Sequence, residues 1–178
     1  MKLKSIAVAT VMSLGLIATA SAADEGHGKI TFFGSIIDAP CSIKAGDEDQ
    51  TINLGSISNA ALENSGKSTP VAFSINLENC SFGDPATKNK VDVTFTGAAS
   101  TVNANLLGIT GTAQGAGVAI TAQGGAEAVK LGTATAAQTL ADGNNTLSFA
   151  AYVQGESATT PIVEGAFQAV TDFQLHYN

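Results

Sequence analysis

The sequence predicts an all-β protein, an immunoglobulin-like sandwich of eight or nine short strands. Three observations predict it. Apolar residues recur with period two along much of the chain, as in Val71, Phe73, Ile75 and Leu77 and again in Val91, Val93 and Phe95. Turn residues separate these runs at short intervals, most clearly Gly83-Asp84-Pro85 and Asp142-Gly143-Asn144-Asn145. No helical period is long enough to cross between parallel strands, and no internal repeat is evident.

The N-terminus stands apart from this pattern. Lys2 and Lys4 precede an apolar run from Ile6 to Ile17, and Ala20-Ser21-Ala22 has the small-x-small form of a cleavage site. Residues 1–22 therefore read as a secretory signal peptide, with cleavage after Ala22 or Ala23. The apolar run is shorter than the roughly 20 residues that a spanning helix needs. The chain from residue 23 onward reads as soluble or assembled, long enough for one domain with a real core.

Charge excludes several partner classes. Without Lys2 and Lys4, the eight basic residues fall to six lysines against fifteen acids, a net charge of −9, and there is no arginine. A nucleic-acid surface needs clustered Lys and Arg to displace counterions, and none is present, so no nucleic-acid partner is expected. Anionic membrane surfaces are disfavoured for the same reason. Two cysteines, Cys41 and Cys80, in an exported chain read as one disulfide, since a two-cysteine metal site would lack further ligands.

Taken in order, Ala23–His27 is short and polar. Lys29–Ile37 reads as a strand, with Gly28, Ile30, Phe32, Gly34 and Ile36 on one side and Phe33 and Ile37 on the other. Asp38-Ala39-Pro40 interrupts it, since proline belongs at a strand start or edge. Cys41–Ile43 and Thr51–Leu54 follow as strands around the acidic turn Lys44–Gln50. Ser58–Glu63 fits a single helical turn with Ser58 placed as an N-cap. Val71–Cys80 is the clearest core strand, and Val91–Thr96 is next. Leu106–Thr110, Val118–Thr121 and Val129–Leu131 are shorter apolar runs. Thr146–Val153 is a strand after the Asp142–Asn145 turn, and a loop containing Pro161 leads to one long alternating strand, Gly165–Asn178.

Catalytic motifs are missing from the sequence. His27 and His176 have no metal-ligand spacing, no Gly-x-Ser-x-Gly occurs, and Gly115-Ala116-Gly117 lacks both the phosphate-loop lysine and the dinucleotide spacing. No enzyme activity, metal or cofactor is expected. His176 lies opposite Tyr177 on the last strand and is read as solvated. Asn79-Cys80-Ser81 and Asn144-Asn145-Thr146 match the glycosylation triplet and are read as chance.

The C-terminal run is the most suggestive. Phe167, Ala169, Thr171, Phe173, Leu175 and Tyr177 share one face, and no further strand follows. Two readings stand at this point. The strand is internal and simply closes the fold, or its free edge and apolar face are kept open for a partner.

The ordered motifs resemble the major pilin subunits of chaperone–usher fimbriae, of the P-pilus and type 1 kind. Lys29-Ile30-Thr31-Phe32-Phe33-Gly34-Ser35-Ile36-Ile37-Asp38-Ala39-Pro40-Cys41 resembles the family's N-terminal signature up to its first cysteine. Leu77-Glu78-Asn79-Cys80 resembles its second cysteine segment. Asp142–Leu147 with Phe149 and Ala150 resembles a late turn and strand. Gly165, fourteenth from the end, and the penultimate Tyr177 resemble its chaperone-recognition pattern.

The resemblance implies an incomplete immunoglobulin-like fold lacking its final strand. On this resemblance a periplasmic chaperone would fill the gap first and hold the Asn178 carboxylate. At the outer-membrane usher, the N-terminal extension of the next subunit would then replace it. The implied layout is a donor extension over 23–37 and a pilin domain over 38–178. Gly28, Ile30, Phe32, Gly34 and Ile36 would be donated, and Gly165, Phe167, Ala169, Thr171, Phe173, Leu175, Tyr177 and Asn178 would form the chaperone-contacting and acceptor strand. The implied role is the shaft subunit of a cell-surface adhesive fimbria, with copies of itself and other fimbrial subunits as partners. The alternatives are a minor or adaptor pilin and an extracellular carbohydrate-binding adhesin module.

Overall fold

The computed structural model describes residues 28–122, 125 and 127–178. The signal segment 1–22 and residues 23–27, with His27, lie outside these residues. The chain separates into two units, Met1–Ile36 and Ile37–Asn178. In the first, residues 28–36 form no regular secondary structure, and Ile30, Phe32, Phe33 and Ile36 are exposed. The strand expected over Lys29–Ile37 is therefore not formed. An extended segment becomes a strand only through ladder hydrogen bonds to a neighbour, and none of the described strands pairs with it.

In the second unit the elements run β1 (Ser42–Ile43), α1 (Asn59–Leu62), β2 (Val71–Cys80), β3 (Lys90–Gly97), β4 (Leu107–Gly108), β5 (Thr110–Gly111), β6 (Ala116–Ala122), β7 (Glu127–Ala128), β8 (Gln138–Thr139), β9 (Gly143–Gly155), β10 (Phe167–Gln168) and β11 (Thr171–Tyr177). One layer has the order β1-β2-β9-β6-β4, with β7 also on β6; β11-β3-β8 forms the facing layer, and β10-β5 is a separate two-stranded pair. All ladders are antiparallel.

Alternation builds the core between the layers. β2 and β9 pair with Phe73 opposite Phe149 and Ile75 opposite Leu147. β9 and β6 pair with Val153 opposite Val118. In the facing layer Phe173 lies opposite Phe95, Leu175 opposite Val93 and Tyr177 opposite Val91. The Phe149 ring joins the layers. It stacks on Phe73 at 5.5 Å and meets the Phe95 ring edge-on at 5.1 Å, arrangements favoured by the aromatic quadrupole. Cys41 and Cys80 form a disulfide, both buried. Beside it the β2 register slips between Leu77 and Cys80, where Asn79 takes a φ of 55°.

Several boundaries differ from the sequence expectations. The four-residue α1 continues as a 3-10 turn over Glu63–Ser65, and Ser58 makes no side-chain capping bond. Val129 is buried and its N–H donates to the Ile120 carbonyl, yet the strand there is Glu127–Ala128. The long C-terminal strand is broken in two. β10 pairs with β5, β11 pairs with β3, and the chain changes partner across Ala169–Val170. Gly97 permits the crossover, because a Cβ there would sit 2.8 Å from the Val170 carbonyl oxygen.

Candidate strand-acceptor groove

The inner face of β11 carries Thr171, Phe173, Leu175 and Tyr177, alternating with exposed Asp172, Gln174 and His176. Each inner residue is only half-buried, whereas the β3 residues across the ladder, Val91, Val93 and Phe95, are buried to 2% exposure or less. One edge of β11 is paired to β3, and none of the described strands takes the other. A paired strand whose apolar face is half open lacks a neighbour on one side.

The opposite bank is the segment Thr51–Ile57. Ile52 and Leu54 are half-buried between exposed neighbours, as in a strand, and Ile57 is half-buried beyond Gly55, where a φ of 77° breaks the period of two. Leu54 and Ile57 pack on the core. Among the described residues, no backbone group of 51–57 pairs with another backbone group, and the Gly55 N–H donates instead to Asn53 Oδ1 at 2.8 Å. The strand expected over Thr51–Leu54 is thus extended chain without a ladder.

Between these banks lies an open groove of about 1720 Å³. Its apolar lining draws on both layers, with Phe73, Ile75, Val118 and Val153 from one and Phe95 and Phe173 from the other. Two unpaired backbone edges flanking an apolar trough form a site for an extended peptide. Main-chain hydrogen bonds would supply affinity and the trough would read alternate side chains.

The expected acceptor residues divide in two. Gly165, Phe167, Ala169, Thr171 and Phe173 line the groove, while Leu175, Tyr177 and Asn178 lie beyond its lining. Leu175 and Tyr177 pack against the core. Asn178 exchanges backbone hydrogen bonds with Lys90, and its Nδ2 donates to Asp92 Oδ2 at 2.9 Å. His176 Nδ1 lies 3.4 Å from the same carboxylate with its ring exposed. The Tyr177 hydroxyl is buried without a hydrogen-bond partner, and burial raises its pKa. Gly165 answers a close approach. A Cβ there would collide with the Thr112 hydroxyl and come within 2.6 Å of the Ala113 nitrogen.

Sequence reasoning did not find the 51–57 bank or Ile43, Phe73 and Ile162 as groove residues. The alternation of Ile52 and Leu54 was the available signal for the bank. The expected donor residues Gly28, Ile30, Phe32, Gly34 and Ile36 belong to the first unit, where Gly28 and Gly34 have open space around a would-be Cβ. Among the described residues, no group of three acidic, histidine or cysteine side chains could hold a metal.

Residues 30–178 match the family model described as Fimbrial protein. The chain is 56% identical to the Fimbria A protein of Serratia marcescens over 99% of both chains. It is 50% identical to the Major MR/P fimbria protein of Proteus mirabilis, again over 99% of both. Among solved structures it is similar to a chain of a chaperone–usher pilus, with a TM-score of 0.76, 35% identity and coverage of 86% of this chain and 97% of that one. It is also similar to the P pilus rod subunit PapA, with a TM-score of 0.68, 34% identity and coverage of 79% and 100%.

Proposed function

The chain belongs to the fimbrial protein family, and we propose that it joins to its neighbours by lending residues 28–37 to the groove of another copy. It is a structural shaft subunit of a chaperone–usher fimbria at the cell surface, assembled with copies of itself and with other fimbrial subunits. Its role is mechanical rather than catalytic.

One observation carries the joining reading. β11 and the 51–57 segment each leave a backbone edge unpaired on either side of an apolar groove. The 28–37 segment has the complementary defect: Ile30, Phe32 and Ile36 on one side of an extended chain, all exposed. A single strand inserted between the banks would satisfy both edges and bury those side chains together. Gly34 would let the inserted backbone lie close where the trough is shallow. Residues 1–22 act as the export signal in this reading, 23–37 as the donor extension and 38–178 as the acceptor domain, held by a periplasmic chaperone until an outer-membrane usher exchanges it.

Electron microscopy of cells expressing Phe32→Asp or Gly34→Val tests this. Both variants should fold and reach the periplasm yet fail to build fibres. Fibres of normal length and number from either variant overturn the donor role.

A further inference from the structure

The groove carries charge of one sign only. Asp47, Glu48, Asp49, Glu164 and Asp172 are among its lining residues, which include no lysine or histidine. These acids are unevenly spread. Gln50 Nε2 donates to the Ser74 carbonyl at 2.9 Å, which fixes the Asp47–Gln50 turn beside Phe73. Phe73 stacks on Phe149, Phe149 meets Phe95, and Phe95 pairs with Phe173. The turn and Asp172 therefore border the same end of the groove, the end where the β11 lining stops at Phe173. Glu164 borders the far end.

The acids at this end differ in what they already hold. The Asp47 carboxylate accepts the Asn76 backbone N–H at 2.7 Å and its side-chain amide at 2.8 Å. Glu48 accepts the Gly46 N–H at 3.1 Å. The exposed carboxylates of Asp49 and Asp172 have no hydrogen-bond or ion-pair partner among the described residues. Lys44 in the same turn offsets one charge and leaves the end net negative.

The 28–37 segment carries one charge, Lys29, at its N-terminal end, and Asp38 follows directly after it. We propose that Lys29 is a specificity-determining residue for subunit joining. Its ammonium is drawn to the acid-rich end of another copy's groove and settles by Asp49 and Asp172, with the apolar side chains then entering in register. This rests on the donor-strand reading above. With Lys29 at that end, the inserted strand runs opposite to β11 and Asp38 lies away from the acid-rich end. The reverse orientation would bring Asp38 to those acids. Opposite charges at the rim of a site act mainly on encounter rate and on rejection of wrong alignments. The occupant is thus a second copy's extension, selected by one cation in an otherwise uncharged strand.

The test uses synthetic peptides spanning residues 28–37 and purified subunit, with association followed by stopped-flow fluorescence of labelled peptide. At about 20 mM salt the native peptide should associate at least about tenfold faster than Lys29→Glu, with Lys29→Met between them. At about 500 mM salt, where screening acts over a few Å, the three should agree within about twofold. A subunit carrying Asp49→Lys and Asp172→Lys, both at exposed positions, should prefer the Lys29→Glu peptide. Equal association rates for native and Lys29→Glu peptides at low salt, with both still binding, overturn the role of Lys29 alone. Failure of the native peptide to bind at either salt overturns the donor-strand reading and this inference together.

Discussion

Two adjacent phenylalanines separate insertion by alternate side chains from plain hydrophobic adhesion. Phe32 is 88% exposed and Phe33 97% exposed, so any account based on exposed apolar area treats them alike. The strand geometry does not. Phe32 shares a side with Ile30, Gly34 and Ile36, and Phe33 points the other way. Burying a phenylalanine is worth about 3 kcal/mol at the upper end, and about 1.4 kcal/mol is a tenfold change in affinity. Phe32→Ser in a 28–37 peptide should therefore weaken binding to the subunit about a hundredfold, while Phe33→Ser should change it by less than about threefold. Thermal unfolding of the subunit offers a second reading. Native peptide at 100 times its Kd adds about 2.7 kcal/mol of stability, and the Phe32→Ser peptide at that concentration adds only about 0.4 kcal/mol. Equal losses for the two substitutions, or a larger loss for Phe33→Ser, would refute the period-two insertion.

Two further outcomes follow from the fold. The Cys41–Cys80 disulfide spans 39 residues, which on a chain-entropy basis contributes about 4 kcal/mol; Cys80→Ser should lower the denaturation free energy by about that amount, and reductant should then leave the variant unaffected. Burial raises the Tyr177 pKa above its ordinary 10.0, so its contribution is fully present below pH 10 and is lost as pH climbs through the folded-state value. Tyr177→Phe should flatten that alkaline decline in urea titrations and, by removing an orphaned hydroxyl, leave stability at pH 7 unchanged or slightly higher.

The core was legible because it is written in local alternation. Val71–Cys80, Val91–Thr96 and Thr146–Val153 each show their buried face in the sequence, and these strands supply Ile75, Phe95 and Phe149 at the centre of the sandwich. What was not legible depends on neighbours far along the chain. Gly165–Asn178 alternates without a break, yet it splits into β10 and β11 because the ladder with β3 stops at Gly97 and β5 takes over. No local pattern in 165–178 carries the position of Gly97. The apolar run Val129–Leu131 lies just past its nearest strand for the same reason, since β7 is defined by its pairing with Thr121 and Ala122.

The groove inverts this lesson. Two stretches that read as strands, 29–37 and 51–54, join none of the described ladders. In an ordinary domain that would count as a misreading of local pattern, since alternation is kept only where one face is buried. Here the 51–57 segment is half used, with Leu54 and Ile57 packed on the core while the backbone edge stays open. The alternation in 28–36 is not used within its unit, where Ile30, Phe32 and Ile36 stand in solvent. An exposed apolar stripe is a solubility hazard for a free subunit, and a β-pattern that finds no partner within the chain is consistent with a partner outside it. The proposed strand exchange assigns both stretches the same missing neighbour, so their apparent failure as strands becomes one expectation: hydrogen exchange at the backbone amides of 30–36 and 51–57 should slow together when the fibre forms. Protection of one stretch without the other would show that the inserted strand does not lie between these two banks.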